Sequence, residues 1–263
     1  MPTWNPADYG TFLDLRTRPS RDLVQRIPIS PTRVIDLGCG PGNSTAVCAE
    51  RWPTTSIVGL DNSAEMIESA RTTQPHRTWL VGDIGEWIRQ PSGIQYEVDL
   101  IFSSAALQWV EDHARIFPRL LQKLAPGGVF ACQMPAYDAI PNQLMRDMAA
   151  SERWRHWFPN RRAKEWTSHS LDFYYAILVA SAKWLDLWAT DYLQIMPDVD
   201  GIVEWYKSTG LRPYLECTPD KDNRQEFLED YRSRLSPLYP KCEAGGVPFL
   251  FRRIFIVAGV GDK

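Results

Sequence analysis

The stretch Arg33-Val-Ile-Asp-Leu-Gly-Cys-Gly-Pro-Gly42 decides the fold. Its first half is apolar and rich in β-branched residues, which is typical of a strand buried in a parallel sheet. Its second half predicts a tight glycine turn that a ligand can approach closely. Asn43-Ser-Thr45 then offers N-cap residues for a helix that runs to about Arg51. Strand, glycine turn and helix in this order open a nucleotide-binding α/β unit.

The glycine spacing separates two classes of cofactor. A dinucleotide turn follows the pattern G-x-G-x-x-G, whose third glycine would fall on Asn43. Asp36 precedes Gly38, and its carboxylate would repel a bound pyrophosphate. A dehydrogenase is therefore the least consistent interpretation. S-adenosylmethionine carries an ammonium, a sulfonium and an adenosine but no phosphate, so we predict Asp36, Gly38, Gly40 and Asn43 as its binding residues.

A second predicted strand, Thr55 to Asp61, ends in another acid. Asp61 lies about twenty residues beyond the glycines, where a carboxylate can accept hydrogen bonds from both ribose hydroxyls. Asn62-Ser63 is expected to cap the next helix, and Met66 on that helix to lie beneath the ribose or the adenine. Taken alone, Asp61 is also explained by loop solvation.

A third predicted strand, Thr78 to Ile84, repeats this arrangement. Asp83 is placed to accept a hydrogen bond from the adenine amino group, and Ile84 to pack on the ring. The fourth strand, Val98 to Ser103, ends in Ser103-Ser-Ala-Ala-Leu-Gln-Trp109. Ligands of such sheets bind beyond the carboxyl ends of the strands, so Ser103 and Ala105 complete the predicted cofactor site.

The strand–helix alternation continues to position 135 and then stops. Asp112 to Leu124 is an amphipathic helix that Pro126-Gly-Gly128 is expected to end, and Val129 to Met134 is the fifth strand. We predict a single α/β domain over residues 1–263 in which the final strand is antiparallel. Its predicted segments are an N-terminal helical lid (1–30), a cofactor-binding half (31–135), helical cap insertions (136–185 and 212–240) and segments that complete the sheet (186–211 and 241–263).

The N-terminal segment is predicted to form two short helices. Tyr9 to Leu15 and Asp22 to Ile27 carry apolar residues at helical spacing, and Pro19-Ser20 separates them. These helices either pack on the sheet or cover the cofactor. In the second arrangement Tyr9 and Arg16 face the substrate.

Composition excludes several classes of function. The net charge of −3 argues against a nucleic-acid partner, which usually requires a basic surface. The five cysteines form no C-x-x-C pair, which gives no metal-site spacing and fits a reducing compartment. The first residues do not resemble a secretory signal, and no apolar run approaches the ~20 residues that span a bilayer. We therefore expect a cytoplasmic protein, either a monomer or a weak homodimer, with no membrane partner.

These motifs resemble those of the Rossmann-like S-adenosylmethionine-dependent methyltransferases. The resemblance rests on Asp36-Leu-Gly-Cys-Gly-Pro-Gly42, Asp61, Gly82-Asp83 and Leu124-Ala-Pro-Gly-Gly128. Other stretches resemble those members that esterify a small polycarboxylate, with trans-aconitate as the implied acceptor and S-adenosylhomocysteine as the coproduct. These further stretches are Trp4-Asn-Pro with Tyr9, Arg16 to Pro19, Ala105 to Trp109, Gln133 to Pro135 and Ile202 to Pro213.

A polycarboxylate substrate agrees with the basic residues of the first cap insertion. Residues 146–164 contain six Arg and Lys residues against two acids, although a solvated helix face explains this equally well. Arg is suited to bidentate recognition of carboxylates. We predict Arg161, Tyr206, Arg232 and Arg252 as further substrate-binding residues. Because side chains alternate along a strand, at most one of Arg252 and Arg253 faces the site.

The predicted chemistry needs no general base, because a carboxylate is already ionised at pH 7. Alignment of the reactants would then supply most of the catalysis, with Trp109 and Tyr137 bordering the transfer site. The four histidines do not follow the cofactor-half strands directly, although His156 and His169 could reach in from the cap. Two alternatives stay open: methylation of a hydroxyl, nitrogen or carbon of another small molecule, and non-catalytic binding of S-adenosylmethionine.

Overall fold

The computed structural model describes residues 13–90, 98–158 and 167–262. Its strands are β1 (Arg33–Leu37), β2 (Ser56–Asp61), β3 (Thr78–Val81), β4 (Val98–Ser104), β5 (Leu124–Pro135), β6 (Trp184–Met196) and β7 (Val247–Gly259). Among the described residues they form one seven-stranded sheet in the order β3-β2-β1-β4-β5-β7-β6. The first five strands pair in parallel, and β7 pairs antiparallel with β5. The predicted α/β sheet with an antiparallel final strand is confirmed.

Ten α-helices accompany these strands in the described part of the chain. They are α1 (Leu13–Gln25), α2 (Asn43–Arg51), α3 (Ala64–Thr73), α4 (Ile84–Arg89), α5 (His113–Leu121), α6 (Ile140–Ala150), α7 (Leu171–Leu178), α8 (Val199–Lys207), α9 (Arg212–Cys217) and α10 (Lys221–Leu235). Short 3₁₀ turns occupy Leu107–Trp109, Arg155–Trp157 and Ser236–Leu238.

The predicted break at Pro19-Ser20 is wrong, because α1 continues through Pro19. A proline inside a helix removes one backbone hydrogen bond and crowds the preceding turn. Leu23 and Val24, later on the same helix, are almost fully buried. Burial of these side chains offsets the lost hydrogen bond, so packing overrides the local signal of the proline.

The predicted end of the fifth helix is also wrong. Helix α5 stops at Leu121, and β5 already begins at Leu124, so Pro126-Gly-Gly128 lies within the strand instead of terminating a helix. The register between β4 and β5 shifts between Val98 and Leu100, next to this segment. Proline is tolerated in a strand at such irregularities because no ladder hydrogen bond is required there.

The chain divides into two compact units. The described part of the first, here called the sheet unit, contains residues 13–90, 98–135, 167–190 and 253–262. The described part of the second, the helical unit, contains residues 136–158 and 191–252. Helix α7 belongs to the sheet unit, where it packs against α5, although the predicted cap insertion 136–185 includes it. The single-domain organisation stays a prediction.

The described residues contain no helix that is both long and apolar enough to cross a membrane.

Candidate functional site

The sheet order places a crevice between the carboxyl ends of β1 and β4. These two strands are neighbours, and the chain crosses from β1 to β2 on one side and from β4 to β5 on the other. Ligands of open α/β sheets bind where the strand order reverses in this way. The Oγ of Ser103 donates a hydrogen bond of 2.8 Å to the carbonyl of Leu37 and joins the two strand ends. Ala105, which follows β4, has a positive φ of 55°.

Two glycines of the turn after β1 differ in their surroundings, because Gly38 is tightly packed and Gly40 faces open space. Gly38 has a φ of +74°, and a Cβ there would lie 2.1 Å from the Cβ of Ala106, so the backbones approach too closely for any side chain. Gly40 has a φ of +53°, and a Cβ there would meet no atom within 4 Å among the described residues. Glycine at position 40 therefore leaves open space that a ligand can occupy.

Asp36 lies at the base of this turn and is fully buried. Its Oδ2 accepts hydrogen bonds from Ser44 Oγ at 2.7 Å and Thr45 Oγ1 at 2.6 Å. Its buried Oδ1 accepts none from the residues that the structure describes. Burial raises the pKa of the carboxyl group from 3.8 to about 6, so Asp36 is ionised at neutral pH and keeps one unused acceptor.

The hydroxyls that hold Asp36 correct the predicted start of the second helix. Its N-cap residue is Gly42, in a left-handed conformation and without a side-chain cap. Ser44 and Thr45 instead lie in the first turn of α2 and turn their hydroxyls to Asp36. Asn43, half-buried, begins the helix. The sequence shows that these residues are polar, but it does not show that they donate hydrogen bonds to the acid that precedes them.

Asp61 connects the end of β2 to the same glycine turn. Its Oδ2 accepts from the backbone N–H of Gly40 and its Oδ1 from that of Ser63, both at 2.9 Å. Burial raises the pKa of the Asp61 carboxyl. Ser63 caps α3 by accepting from the N–H of Met66, which is buried, while Asn62 is exposed. The predicted cap is confirmed, and Asp61 is held in place against Gly40.

Asp83 and Ile84 lie where β3 passes into α4. Asp83 caps this helix, since its Oδ1 accepts from the N–H of Glu86 at 2.9 Å, and its side chain is about half exposed. Ile84 is half-buried, and a Cβ added to Gly38 would lie 3.4 Å from its Cδ1. The structure therefore brings Ile84 to the glycine turn, while one oxygen of Asp83 already stabilises the helix.

The 3₁₀ turn that contains Trp109 is held by a buried histidine. The two ring nitrogens of His113 lie 3.0 Å from the carbonyl of Leu107 and 2.8 Å from the hydroxyl of Tyr174. A carbonyl only accepts, so Nε2 carries the hydrogen and Nδ1 accepts from the tyrosine. Burial lowers the pKa of His113 to about 4. Both nitrogens are engaged, so His113 positions the turn and is not available as a base.

The arginines that are predicted to bind substrate differ in how far they are exposed. Arg16 is buried on α1, with 7% exposure. Arg232 is exposed and forms an ion pair with Asp200. Arg252 is likewise exposed, with its Nε 3.9 Å from Asp191 Oδ1. Arg253, the other arginine of this predicted pair, is 4% exposed, and the role of Arg252 stays a prediction.

The other predicted substrate and transfer residues are divided between the two units. Tyr206 is fully buried in the helical unit. Tyr137, also in that unit, is half-buried beneath Arg146, whose guanidinium lies 3.9 Å from its ring centroid. Trp109 is half-buried in the sheet unit. The predictions for Tyr9 and Arg161 lie outside the described residues.

A polar chain in the sheet unit is absent from the predicted site. Arg253 Nη1 donates to Gln133 Oε1 at 3.1 Å, and Gln133 Nε2 donates to Ser104 Oγ at 2.7 Å. Ser104 Oγ lies 2.7 Å from Ser20 Oγ on α1. The sequence feature that could have indicated this chain is Gln133, a large polar residue near the end of an otherwise apolar strand.

The chain matches known methyltransferases along most of its length. A family model described as a methyltransferase domain matches residues 12–173. A trans-aconitate 2-methyltransferase of Azoarcus sp. (strain BH72) is 44% identical over 260 residues, which is 98% of this chain and 99% of the relative. The enzyme of the same name from Variovorax paradoxus (strain S110) is 42% identical over 98% of both chains.

Solved structures share the fold at low sequence identity. The YcgJ protein from Bacillus subtilis superposes with a TM-score of 0.59 at 15% identity, covering 94% of this chain and all of that one. A Haemonchus contortus phosphoethanolamine N-methyltransferase in complex with S-adenosyl-L-methionine gives a TM-score of 0.54 at 16% identity, covering 97% of this chain and 57% of that one.

Proposed function

The chain belongs to the family of trans-aconitate 2-methyltransferases, and from this premise we propose that it transfers a methyl group from S-adenosylmethionine to one carboxylate of trans-aconitate. The products are the monomethyl ester and S-adenosylhomocysteine. The observation that carries the proposal is Asp36, a buried carboxylate that is ionised at neutral pH and has one unused oxygen beside an open glycine turn.

The residues around the turn fit this cofactor. Asp36 supplies negative charge for a cationic head, and Asp61 is positioned beside Gly40 to accept from ribose hydroxyls. Ile84, which reaches the turn, offers an apolar surface for adenine. The other cofactor-binding residues of the proposal are Gly38, Asn43, Asn62, Met66, Asp83, Ser103 and Ala105. When bound, S-adenosylmethionine supplies a methyl group on a positively charged sulfur, which a carboxylate oxygen can take up directly.

The acceptor needs no help from a protein base. A carboxylate of trans-aconitate is ionised at pH 7, so no proton has to be removed before transfer. Burial lowers the pKa of His113 and of His169 below the ordinary histidine value, so neither side chain is tuned to act as a base at neutral pH. The proposed work of the protein is to align the acceptor and exclude water, with Trp109 bordering the acceptor. Tyr137 is proposed for the same role.

The proposed setting is the cytoplasm. All five cysteines are free thiols, which agrees with a reducing compartment. The proposed partner is the small polycarboxylate, and the proposed oligomeric state is a monomer or a weak homodimer.

Methyl transfer from labelled S-adenosylmethionine to a panel of di- and tricarboxylic acids tests the proposal. We expect transfer to trans-aconitate and a product from which mild base releases the label as methanol. A panel of phenols and amines, assayed in parallel, serves as the control. Labelling confined to those acceptors, or cofactor binding without any transfer, would overturn the carboxylate assignment.

A further inference from the structure

A buried side chain in the turn after β4 keeps an unused hydrogen-bond acceptor. This turn, residues 105–109, is here called the β4 turn. The Nε2 of Gln108 donates a hydrogen bond of 2.7 Å to the carbonyl of Ala105, so the side chain folds back to the first residue of the turn. Gln108 is 3% exposed, and its Oε1 accepts no hydrogen bond from the residues that the structure describes. Leaving a buried acceptor without a donor costs free energy, so this oxygen calls for a partner.

The β4 turn packs directly on the glycine turn that follows β1. A Cβ added to Gly38 would lie 2.1 Å from the Cβ of Ala106, so the two turns are in close contact. Both polar atoms of the Gln108 amide are bonded to one carbon, so Oε1 lies in the same region as the Ala105 carbonyl. On the β1 side, the buried Oδ1 of Asp36 is also unused. Each of the two strands that border the crevice is therefore associated with one buried oxygen that can accept a hydrogen bond.

Hydrogen bonds fix the backbone of the β4 turn. The N–H of Ala105 donates to the carbonyl of Gln133 at 2.9 Å, and the N–H of Thr167 donates to the carbonyl of Gln108 at 2.7 Å. The buried histidine of α5 holds the carbonyl of Leu107. Because the backbone is held on both sides of the glutamine, its amide is already oriented before a ligand binds, which lowers the entropic cost of binding.

The acid that accepts the methyl group does not supply the missing donor. A tricarboxylate that is ionised at pH 7 has only acceptor oxygens, and an amide oxygen repels them. S-adenosylmethionine, in contrast, carries three kinds of donor, which are the adenine amino group, the ribose hydroxyls and the ammonium of its methionine part. The unused oxygen of Gln108 therefore fits the cofactor and not the acid.

The strand order separates these three donors. Strands β3 and β2 lie on one side of β1, and β4 lies on the other. Under the proposed function, adenine binds at Ile84 beyond β3, and ribose binds at Asp61 at the end of β2. The methionine part then lies beyond β1 and β4, beside the unused oxygens of Asp36 and Gln108. An ammonium has three N–H donors, so one oxygen of Asp36 does not satisfy it.

We propose that Oε1 of Gln108 accepts a hydrogen bond from the ammonium group of S-adenosylmethionine. This inference rests on the proposed function and adds a binding residue to its cofactor site. Asp36 supplies the negative charge, and Gln108 supplies a neutral acceptor whose direction is set by the hydrogen bond to Ala105. The same contact connects the bound cofactor to the turn that carries Trp109, which is proposed to border the acceptor.

Two substitutions and two ligands test this role. Gln108→Met keeps the length of the side chain but removes both the acceptor and the donor of the amide. Gln108→Glu keeps an acceptor oxygen and removes the amide donor to Ala105. The ligands are S-adenosylhomocysteine and its analogue in which hydrogen replaces the amino group. Isothermal titration calorimetry gives the dissociation constant of each ligand.

The two ligands should respond differently to the loss of the acceptor. For Gln108→Met we expect the dissociation constant of S-adenosylhomocysteine to rise roughly 10- to 100-fold, the range for a hydrogen bond to a charged group. That of the analogue should change less than about 3-fold, because it has no ammonium. In Gln108→Glu the preference for S-adenosylhomocysteine over the analogue should be at least that of wild type. Gln122→Met, at an exposed glutamine of the sheet unit, is the matched control.

The remaining outcomes also decide. An equal rise for both ligands in Gln108→Met would show that the side chain only shapes the turn, and it would overturn the proposal. So would unchanged dissociation constants in that variant. If Gln108→Met does not fold, a lost preference in Gln108→Glu defeats the inference and a retained one supports it. Wild-type protein that binds neither ligand defeats the proposed function together with this inference, whereas wild-type binding with an unchanged preference in Gln108→Met defeats the inference alone.

Discussion

Both compact units contain exposed, ion-paired arginines, but the most buried arginines among the described residues lie in the sheet unit. In the helical unit the side chains of Arg153, Arg232, Arg234 and Arg252 are at least 42% exposed, and each forms an ion pair. In the sheet unit Arg16 and Arg253 are 7% and 4% exposed, and one N–H of Arg253 donates to the amide oxygen of Gln133. Exposed pairs contribute little to stability or recognition, whereas a buried charge has a large effect on both. The number of basic residues in a segment therefore does not indicate how strongly each of them affects stability or recognition.

The largest effect is expected at Asp36, the buried acid of the sheet unit. Asp36→Asn keeps the size of the side chain and an acceptor for Ser44, but it removes the charge offered to a cationic ligand. We expect the dissociation constant of S-adenosylmethionine to rise about 100-fold, the upper range for a hydrogen bond between charged groups. Isothermal titration calorimetry measures it, and a change below about 3-fold would contradict the assignment. Glu226→Gln, an exposed acid of the helical unit, is the matched control.

The next effect concerns the buried histidine that holds the 3₁₀ turn. His113→Phe removes the donor to the carbonyl of Leu107 and the acceptor for the hydroxyl hydrogen of Tyr174, so we expect a loss of about 2 kcal/mol in the free energy of unfolding. Denaturant unfolding checks this value. Tyr174→Phe, which removes only one hydroxyl, should cost less. The double variant should cost less than the sum, because both substitutions break the same hydrogen bond.

A smaller effect should appear in the pH dependence of cofactor affinity. The pKa of Asp36 is raised to about 6 by burial, so protonation below that pH removes the negative charge that we propose for binding the cofactor. At pH 5 about a tenth of the free protein keeps the charge, and we expect binding roughly tenfold weaker than at pH 7.5. Titrations of wild type and Asp36→Asn provide the check. A wild-type affinity as flat as that of the variant would exclude Asp36 as the source.

The smallest effect is expected at an exposed pair of the helical unit. Arg153 lies 3.4 Å from Glu226, and both side chains are more than half exposed. We expect Arg153→Gln to change the free energy of unfolding by less than about 1 kcal/mol and to leave the KM for the acceptor unaltered. A large rise in that KM would remove the distinction between the two units.

Much of the sheet could be predicted because its signals are local. The apolar runs at Val34 to Leu37 and Val98 to Ser103, and the glycines between strand and helix, report on their own conformation. Pro19 misleads because its cost is offset by the burial of Leu23, which only the folded chain reveals. A local signal fails where tertiary packing overrides it.

The sequence also predicts only those parts of the candidate site that depend on local signals. Asp36 and Asp61 follow from their place at strand ends. The choice between Arg252 and Arg253 depends on which face of β7 is covered, and the sequence of the strand does not specify this. The link from Gln133 to Arg253 joins residues 120 positions apart, and no local pattern contains it.

The buried acid before the glycine turn also bears on how this protein could be engineered. Burial raises the pKa of Asp36 from 3.8 to about 6, so its contribution to stability is present at low pH and is lost as the pH rises through 6. At neutral pH the ionised group therefore disfavours folding by about 3 kcal/mol. Selection for thermostability alone would favour neutral replacements at this position. With the cofactor role proposed for Asp36, this position is a trade-off between stability and activity, and we expect a library screened only for heat resistance to enrich stable but inactive variants.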